Sequence, residues 1–379
     1  MSKPAYYPAL DGLRGVAALS VVVMHRHVWF GLEGWLAHGY LAVDFFFMLS
    51  GFVIANAYEG KLTGGMSAWD FIKARLIRLY PLLALGVTIG TAWRLLALKL
   101  DLAIFTPAET WAIFGRGLLL LPTLHGRFAN TSAFPFDPPT WSLFFELAIN
   151  LVYVAIFRFL STGRLVGLTL ACLVPLSLLA FKTGGLDAGD VAEDFWQGGV
   201  RVGFPFFAGV LLHRFRRLPG LERIRAPFWV QALVLLAVLN ASGLGAARWA
   251  FDLFCAVVIF PALVIAGANT VSSARETQAL KVMGDLSYPA YVLHYPIYVL
   301  MGSLADYWGI VDYTDGALWF ALLTLGVILA VSQGATIWFD RPVRAWLTRV
   351  TVPRPSPLVG EGVGRRTTDE GSHSRSTAD

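Results

Sequence analysis

Charge is the scarcest commodity in this chain. Of 379 residues only 15% are Asp, Glu, Lys or Arg, against 56% hydrophobic. A soluble domain carries about 25% charged residues, so a soluble enzyme or a solvated scaffold is excluded and a polytopic membrane protein is indicated. Cysteine is nearly absent: Cys172 and Cys255 both fall in apolar runs. They read as small buried hydrophobes rather than as a disulfide or metal pair. No Gly-rich phosphate loop, HExxH or CxxC occurs, which leaves nucleotide hydrolysis and metal catalysis without support. No metal site is expected. No repeat of fixed period is present, and no basic stretch followed by a short apolar core and small-residue cleavage site marks a cleavable signal peptide. The net charge of +5 reports membrane orientation, not nucleic-acid binding.

Apolar segments recur near residues 12–31, 40–57, 79–98, 141–158, 165–181, 196–212, 227–242, 249–268, 284–302 and 316–339, with an eleventh candidate at 108–124 that contains Arg116 and ends in Pro122. The excess of Lys and Arg on cytoplasmic loops decides between ten and eleven. If 108–124 does not cross, Lys3, Lys73/Arg75/Arg78, Arg158/Arg164, the Arg214–Arg225 cluster, Lys281 and Arg341/Arg344/Arg349 share one side. Asp187, Asp190, Glu193, Asp194, Asp306, Asp312 and Asp315 then share the other. The expected fold is therefore all-α: a polytopic integral membrane helical bundle of about ten transmembrane helices, both termini cytoplasmic, with 99–140 a long outer excursion that is re-entrant or interfacial. Residues 1–350 form the membrane domain, with no soluble catalytic domain attached. Residues 351–379, polar and rich in Gly, Ser and Pro, are expected to be a disordered cytoplasmic tail.

The ionisable residues inside the spans carry the functional reading, because each is costly there. Arg14 and His25 lie eleven positions apart in LDGLRGVAALSVVVMHRH. At about 100° per residue they return to within roughly 20° of one direction with a rise of roughly 16 Å. A cation able to hold an anion and an imidazole able to move a proton thus share one helix face. His25, Glu146, Asp44 and Arg201 are all expected within roughly 5–10 Å of the outer boundary, where a carboxylate would fix the imidazole tautomer and raise its basicity. Buried ions also pair for structure alone. That bland reading is favoured for Asp44 and Arg201, balanced for Glu146 and disfavoured for His25.

Arg75 and Arg78, one turn apart at the start of the third span, anchor anionic lipid or grip a phosphate; spacing alone favours the lipid. His294 lies between Pro289 and Pro296, which are expected to break or kink its helix, and it binds substrate or caps a freed carbonyl. His27 and His38 are expected at the solvated boundary, and Trp29, Trp35, Trp69 and Trp141 in the interfacial aromatic belt.

Four segments, PALDGLRGVAALSVVVMH, LAVDFFFMLSGFVI, PPTWSLFFELAINLVY and MGDLSYPAYVLHYPI, the last followed by FDRPVR, together resemble the acyltransferase 3 family of integral membrane acyltransferases over roughly residues 6–345. The resemblance implies transfer of an acyl group, expected to be acetyl, from cytoplasmic acyl-CoA to a hydroxyl of an extracytoplasmic or lipid-linked glycan, in the bacterial inner (plasma) membrane. Acyl-CoA (acetyl-CoA) would be a co-substrate, with no permanently bound cofactor. Arg14 and His25 would be the essential pair and Glu146 the family's Trp-Ser-Leu-x-x-Glu glutamate. Arg75 and Arg78 match its Arg-x-x-Arg and would hold the CoA phosphates. Asp285 stands where the family usually has a basic or small residue. Substrate-binding candidates are His294, Arg201 and Asp44, with Arg201 also a candidate donor to the tetrahedral intermediate. The alternative is a transporter or flippase that uses Arg14 and His25 as a substrate or proton path, although internal repeats, frequent in transporters, are missing. A membrane scaffold or sensor subunit is the other rival.

Overall fold

The computed structural model describes residues 5–100, 104–125, 131–309 and 318–351. Thirteen α-helices make up the fold of the described residues: α1 Pro8–Met24, α2 Leu41–Thr63, α3 Ala68–Lys99, α4 Pro107–Leu118, α5 Thr140–Ile156, α6 Thr162–Thr183, α7 Gln197–Phe215, α8 Phe228–Leu239, α9 Arg248–Phe254, α10 Phe260–Asn269, α11 Ala274–Tyr307, α12 Leu318–Gly334 and α13 Arg341–Thr351. Wide π-turns, Cys255–Ile259 and Ala335–Asp340, join α9 to α10 and α12 to α13. Among the described residues the only β-pairing is an isolated bridge between Ser132 and Val191. Among the described residues, six helical stretches are long and apolar enough to cross a membrane: Leu41–Thr63, Ala68–Lys99, Thr140–Phe159, Thr162–Thr183, Gly245–Asn269 and Leu318–Thr351. Lys3, Asp312, Asp315 and the expected tail beyond residue 351 lie outside the described residues.

Local chemistry sets several helix starts. Ser67, Ser161 and Ser273 each accept the backbone N–H three residues on, which satisfies a donor the helix cannot. Thr106 and Glu109 form a reciprocal capping box at α4. The prolines of α11 do not divide it: the helix runs unbroken through Pro289 and Pro296 for 34 residues, a departure from the expected break. Side chains bond carbonyls along its length, Ser287 and Arg14 at Gly284 and His294 at Ala290, while the carbonyls that Pro289 and Pro296 leave without a helical donor are those of Asp285 and Val292.

Two helix pairs form the spine. In α2 against α7, a Cβ on Gly51 would lie 2.0 Å from the Phe206 carbonyl oxygen, and one on Gly209 the same distance from that of Met48. Only glycine permits so close a backbone approach. In α1 against α11, Gly15 faces the Met283 backbone and Gly284 faces Asp11.

The two ends of the bundle differ in chemistry. At the basic end, Arg214 ties Glu59 of α2 to the α5–α6 link through the Leu160 carbonyl, and Asp285 accepts from Lys281 and Arg341. At the acidic end, loops 36–40, 184–194 and 240–252 meet around buried Asp252, which accepts from the Tyr40 hydroxyl and the Leu186 N–H. His38 is 4% exposed there, its ring bonded to the Ala241 carbonyl, so it is not a solvated boundary residue. Trp29 and Trp141 are likewise buried, whereas Trp35 and Trp69 are exposed.

The 108–124 segment becomes α4, which packs on α3 with Gly117 against Val87. The chain then returns through residues 131–139 with Phe136 against Gly90 and Asp137 against Gly86. Thus α5 begins at the depth of the middle of α3, not at the bundle's end.

Candidate active site

A cavity of about 470 Å³ opens toward the basic end between α1, α2, α3, α5, α11 and α13. Its outer part is cationic: Arg14, Arg75, Arg78 and Arg344 line it with Asp11 and Glu146 as the carboxylates. Arg14 is held by Asp11 at 2.8 Å, Ser287 at 2.8 Å and the Gly284 carbonyl at 2.9 Å. Arg75 donates to Glu146 at 2.8 Å, and Ser50 donates to the same oxygen at 2.9 Å. Arg344 pairs with Asp340 at 3.0 Å. Arg78 makes no hydrogen bond or ion pair among the described residues, and Nε of Arg75 is buried without an acceptor. Four guanidiniums with spare donors around one cavity suit a polyanion, because the planar fork binds phosphate bidentately.

The far part of the cavity is apolar and closes on Val43, Phe46, Phe47, Leu143, Ser142 and Tyr291. Ser142 lies within hydrogen-bond distance of the Pro139 carbonyl, 2.9 Å, and of the Tyr291 hydroxyl, 2.7 Å. Since the carbonyl can only accept, Ser142 donates to it and Tyr291 donates to Ser142. The Phe46 ring meets Tyr291 edge-on at 5.5 Å. Tyr291 also faces His294, ring centroids 6.1 Å apart, so it separates the cavity from the imidazoles beyond.

Those imidazoles are a pair. His25 caps the C-terminus of α1, and its Nδ1 lies 2.8 Å from the Val21 carbonyl and 3.3 Å from Nε2 of His294. Nδ1 of His294 lies 3.0 Å from the Ala290 carbonyl. Two carbonyls accept, so both rings carry their proton on Nδ1. His25 Nδ1–H is then shared between Val21 and the lone pair of His294 Nε2, and Nε2 of His25 keeps a free lone pair. The arrangement presents a base whose tautomer is fixed by its neighbours.

The expected four-residue cluster at the His25 level does not form. Glu146 bonds Arg75 and Ser50 in the cationic part of the cavity, one turn beyond Ser142 from the imidazoles, because α5 starts deep. Asp44 and Arg201 pair with each other at 2.6 Å, 0% and 1% exposed. Arg201 also donates to the carbonyls of Ala188 and Tyr40 and stacks over Trp141. Four of its five N–H donors are taken, so it is a poor partner for a transient oxyanion. His294, Arg14, Arg75 and Arg78 do share one track with His25. Sequence reasoning overlooked Ser142, Tyr291, Ser287 and Arg344; the Trp-Ser-Leu and Tyr-x-x-His runs stand in the sequence, but nothing in them shows that residues 149 positions apart meet.

A family model described as an acyltransferase domain matches residues 7–334. Protein 2 in the picA locus of Rhizobium radiobacter is 41% identical over 161 residues, 40% of this chain and 83% of that protein. A putative O-acetyltransferase of Staphylococcus aureus strain COL is 36% identical over 122 residues, 29% of this chain and 19% of its own length. The O-acetyltransferase OatA of Staphylococcus aureus strain NCTC 8325 is 22% identical over 333 residues, 80% of this chain and 52% of that protein. The chain thus spans about half the length of OatA. No solved structure matches.

Proposed function

The chain belongs to the acyltransferase family whose model covers residues 7–334, and on that premise we propose that it moves an acetyl group from acetyl-CoA to the hydroxyl of a glycan exposed on the opposite membrane face. It is an integral membrane acyltransferase of the non-aminoacyl kind, and two of the relatives above are described as an O-acetyltransferase and a putative O-acetyltransferase. The observation that carries the finer reading is the α1–α11 seam. One helix pair holds Arg14 in a cationic cavity and, about 16 Å further along, a paired imidazole with a free Nε2.

In this reading ten segments cross a bacterial inner membrane, both termini are cytoplasmic, and the basic end faces the cytoplasm, a placement that its Lys and Arg excess supports. CoA phosphates bind Arg78, Arg75, Arg344 and Arg14. The thioester reaches the Tyr291 end of the cavity. Nε2 of His25 accepts the acceptor's hydroxyl proton, and the oxygen attacks the thioester carbonyl. The Tyr291 O–H turns from Ser142 to the resulting oxyanion, the role once assigned to Arg201. Collapse breaks the C–S bond, and the proton on His25 passes to the departing thiolate. His294, rather than Glu146, orients His25 and accepts from it while it is charged.

The test uses protein in liposomes with acetyl-labelled acetyl-CoA and candidate glycans, measuring CoA release and label transfer. Wild-type turnover that His25→Ala abolishes, with the variant's melting temperature retained, is expected. Equal turnover by both proteins would overturn the role of His25. No turnover by either would favour a transporter.

A further inference from the structure

Past the imidazoles, toward the acidic end, two arginines address one tyrosine, and none of the three serves the donor cavity. The Arg26 guanidinium carbon lies 5.6 Å from the ring centroid of Tyr295, 5.6 Å from that of Trp29 and 5.7 Å from that of Tyr298. Among the described residues its side-chain hydrogen bond goes to the His25 carbonyl. Arg94 of α3 lies 5.2 Å over the Phe105 ring and 6.0 Å from that of Phe136, on the helix whose Gly86 packs against Val292 of α11, three residues before Tyr295. The Tyr295 ring meets His25 edge-on at 5.9 Å.

Neither arginine is paired with a carboxylate among the described residues. Arg14, Arg75, Arg201, Arg214, Arg248 and Arg344 are each paired with one, and Arg78, which likewise lacks one, lines the donor cavity. A part-buried cation without a counter-charge is costly to keep, and cation–π contact, with one carbonyl for Arg26, offsets only part of that cost. His25, Arg26, Arg94 and Tyr295 are all partly exposed, whereas neighbouring His294 and Tyr298 are fully buried. The uncompensated charge therefore sits where a ligand arriving from the acidic end meets His25.

We propose that Arg26 and Arg94, with Tyr295 between their reach, form the acceptor site, and that it takes an anionic sugar whose carboxylate or phosphate binds the guanidiniums while a ring hydroxyl meets His25. Guanidiniums recognise such oxyanions bidentately, and the aromatic rings offer faces for the apolar side of a sugar ring. The proposal names the acceptor class within the acetyl-transfer reading and rests on that reading for the role of His25.

Binding decides it independently of turnover. Protein in phosphatidylcholine nanodiscs is titrated with p-nitrophenyl β-D-glucuronide against the uncharged β-D-glucoside, and with glucose 6-phosphate against glucose. Wild type should prefer at least one anionic member by about tenfold, as one charged hydrogen bond implies. Arg94→Gln should erase that preference, and Arg94→Lys, which keeps the charge, should restore part of it at an unchanged melting temperature. The pair that shows the preference identifies carboxylate or phosphate. Equal binding of both members in both pairs, or a preference that survives in Arg94→Gln, would overturn the proposal. So would Arg94-dependent retention of phosphatidylglycerol without sugar preference, which would make this a lipid headgroup site. A protein that keeps the Arg94-dependent preference but never acetylates the bound sugar would defeat the transfer reading and leave the anion site standing.

Discussion

Single residues show most sharply what a sequence can and cannot disclose. His25 stands out in the sequence because an imidazole in an apolar run expected to span a membrane has no inexpensive structural excuse. Its partner was not, since His294 stands 269 positions away and only the α1–α11 contact brings the rings together. If His294 orients His25 instead of touching substrate, His294→Ala should lower kcat by about a hundredfold, the low end of general-base contributions, with KM for acetyl-CoA unchanged. A purely structural role would instead lower the melting temperature and spare the kcat of the folded fraction. Asp44 and Arg201 make the opposite case: burial turned two conspicuous charges into each other's counter-ions. Asp44→Ala, which strands the Arg201 guanidinium, should cost about 3–5 kcal/mol, while the double change Asp44→Leu/Arg201→Met should recover most of it. Denaturation of the purified variants checks both values, and a double variant no better than the single would show that the pair contributes net stability.

At the scale of elements, apolar runs disclosed helical stretches: each of the ten predicted segments overlaps helix among the described residues, 249–268 covering both α9 and α10, while six stretches are long and apolar enough to cross. What they could not disclose was depth. The Glu146 assignment failed because α5 was assumed to start at the bundle's end, whereas the 131–139 return packs Phe136 and Asp137 against glycines inside α3. Close helix approach was equally hidden, since a glycine in an apolar run reads the same whether it faces lipid or a backbone. Gly209 is the clearest such position: an added Cβ would fall 2.0 Å from the Met48 carbonyl oxygen, and neither backbone can move without displacing a whole helix. Gly209→Ala should therefore cost about 1–3 kcal/mol, as overpacking does. Gly167→Ala on α6, where an added Cβ meets nothing within 4 Å, serves as the control and should be neutral or slightly stabilising on helix propensity.

Across the whole molecule the open quantity is the number of crossings, and the fold turns it into one measurement. In the structure α4 runs alongside α3 only as far as Val87, about 16 Å of helix, little more than half a hydrocarbon core of about 30 Å. The chain then turns back through residues 131–139 and enters α5 from mid-depth. Helix α4 and the return are in this reading a dip, so that the stretch from residue 100 to residue 160 makes a single net crossing. Had α4 crossed completely, α5 would be a second crossing and those two residues would share a side. Single cysteines at Ile104 and Ser161, introduced after replacing Cys172 and Cys255 with alanine, should label with an impermeant thiol reagent from opposite faces of oriented membrane vesicles. Labelling from the same face would require eleven crossings and would move every arginine after α4 to the other side. The basic end would then be split, and the cavity lined by Arg14, Arg75 and Arg344 could not be one cytoplasmic donor site. Opposite-face labelling keeps the four guanidiniums on one side and the His25 Nε2 between donor and acceptor, the condition the transfer chemistry needs.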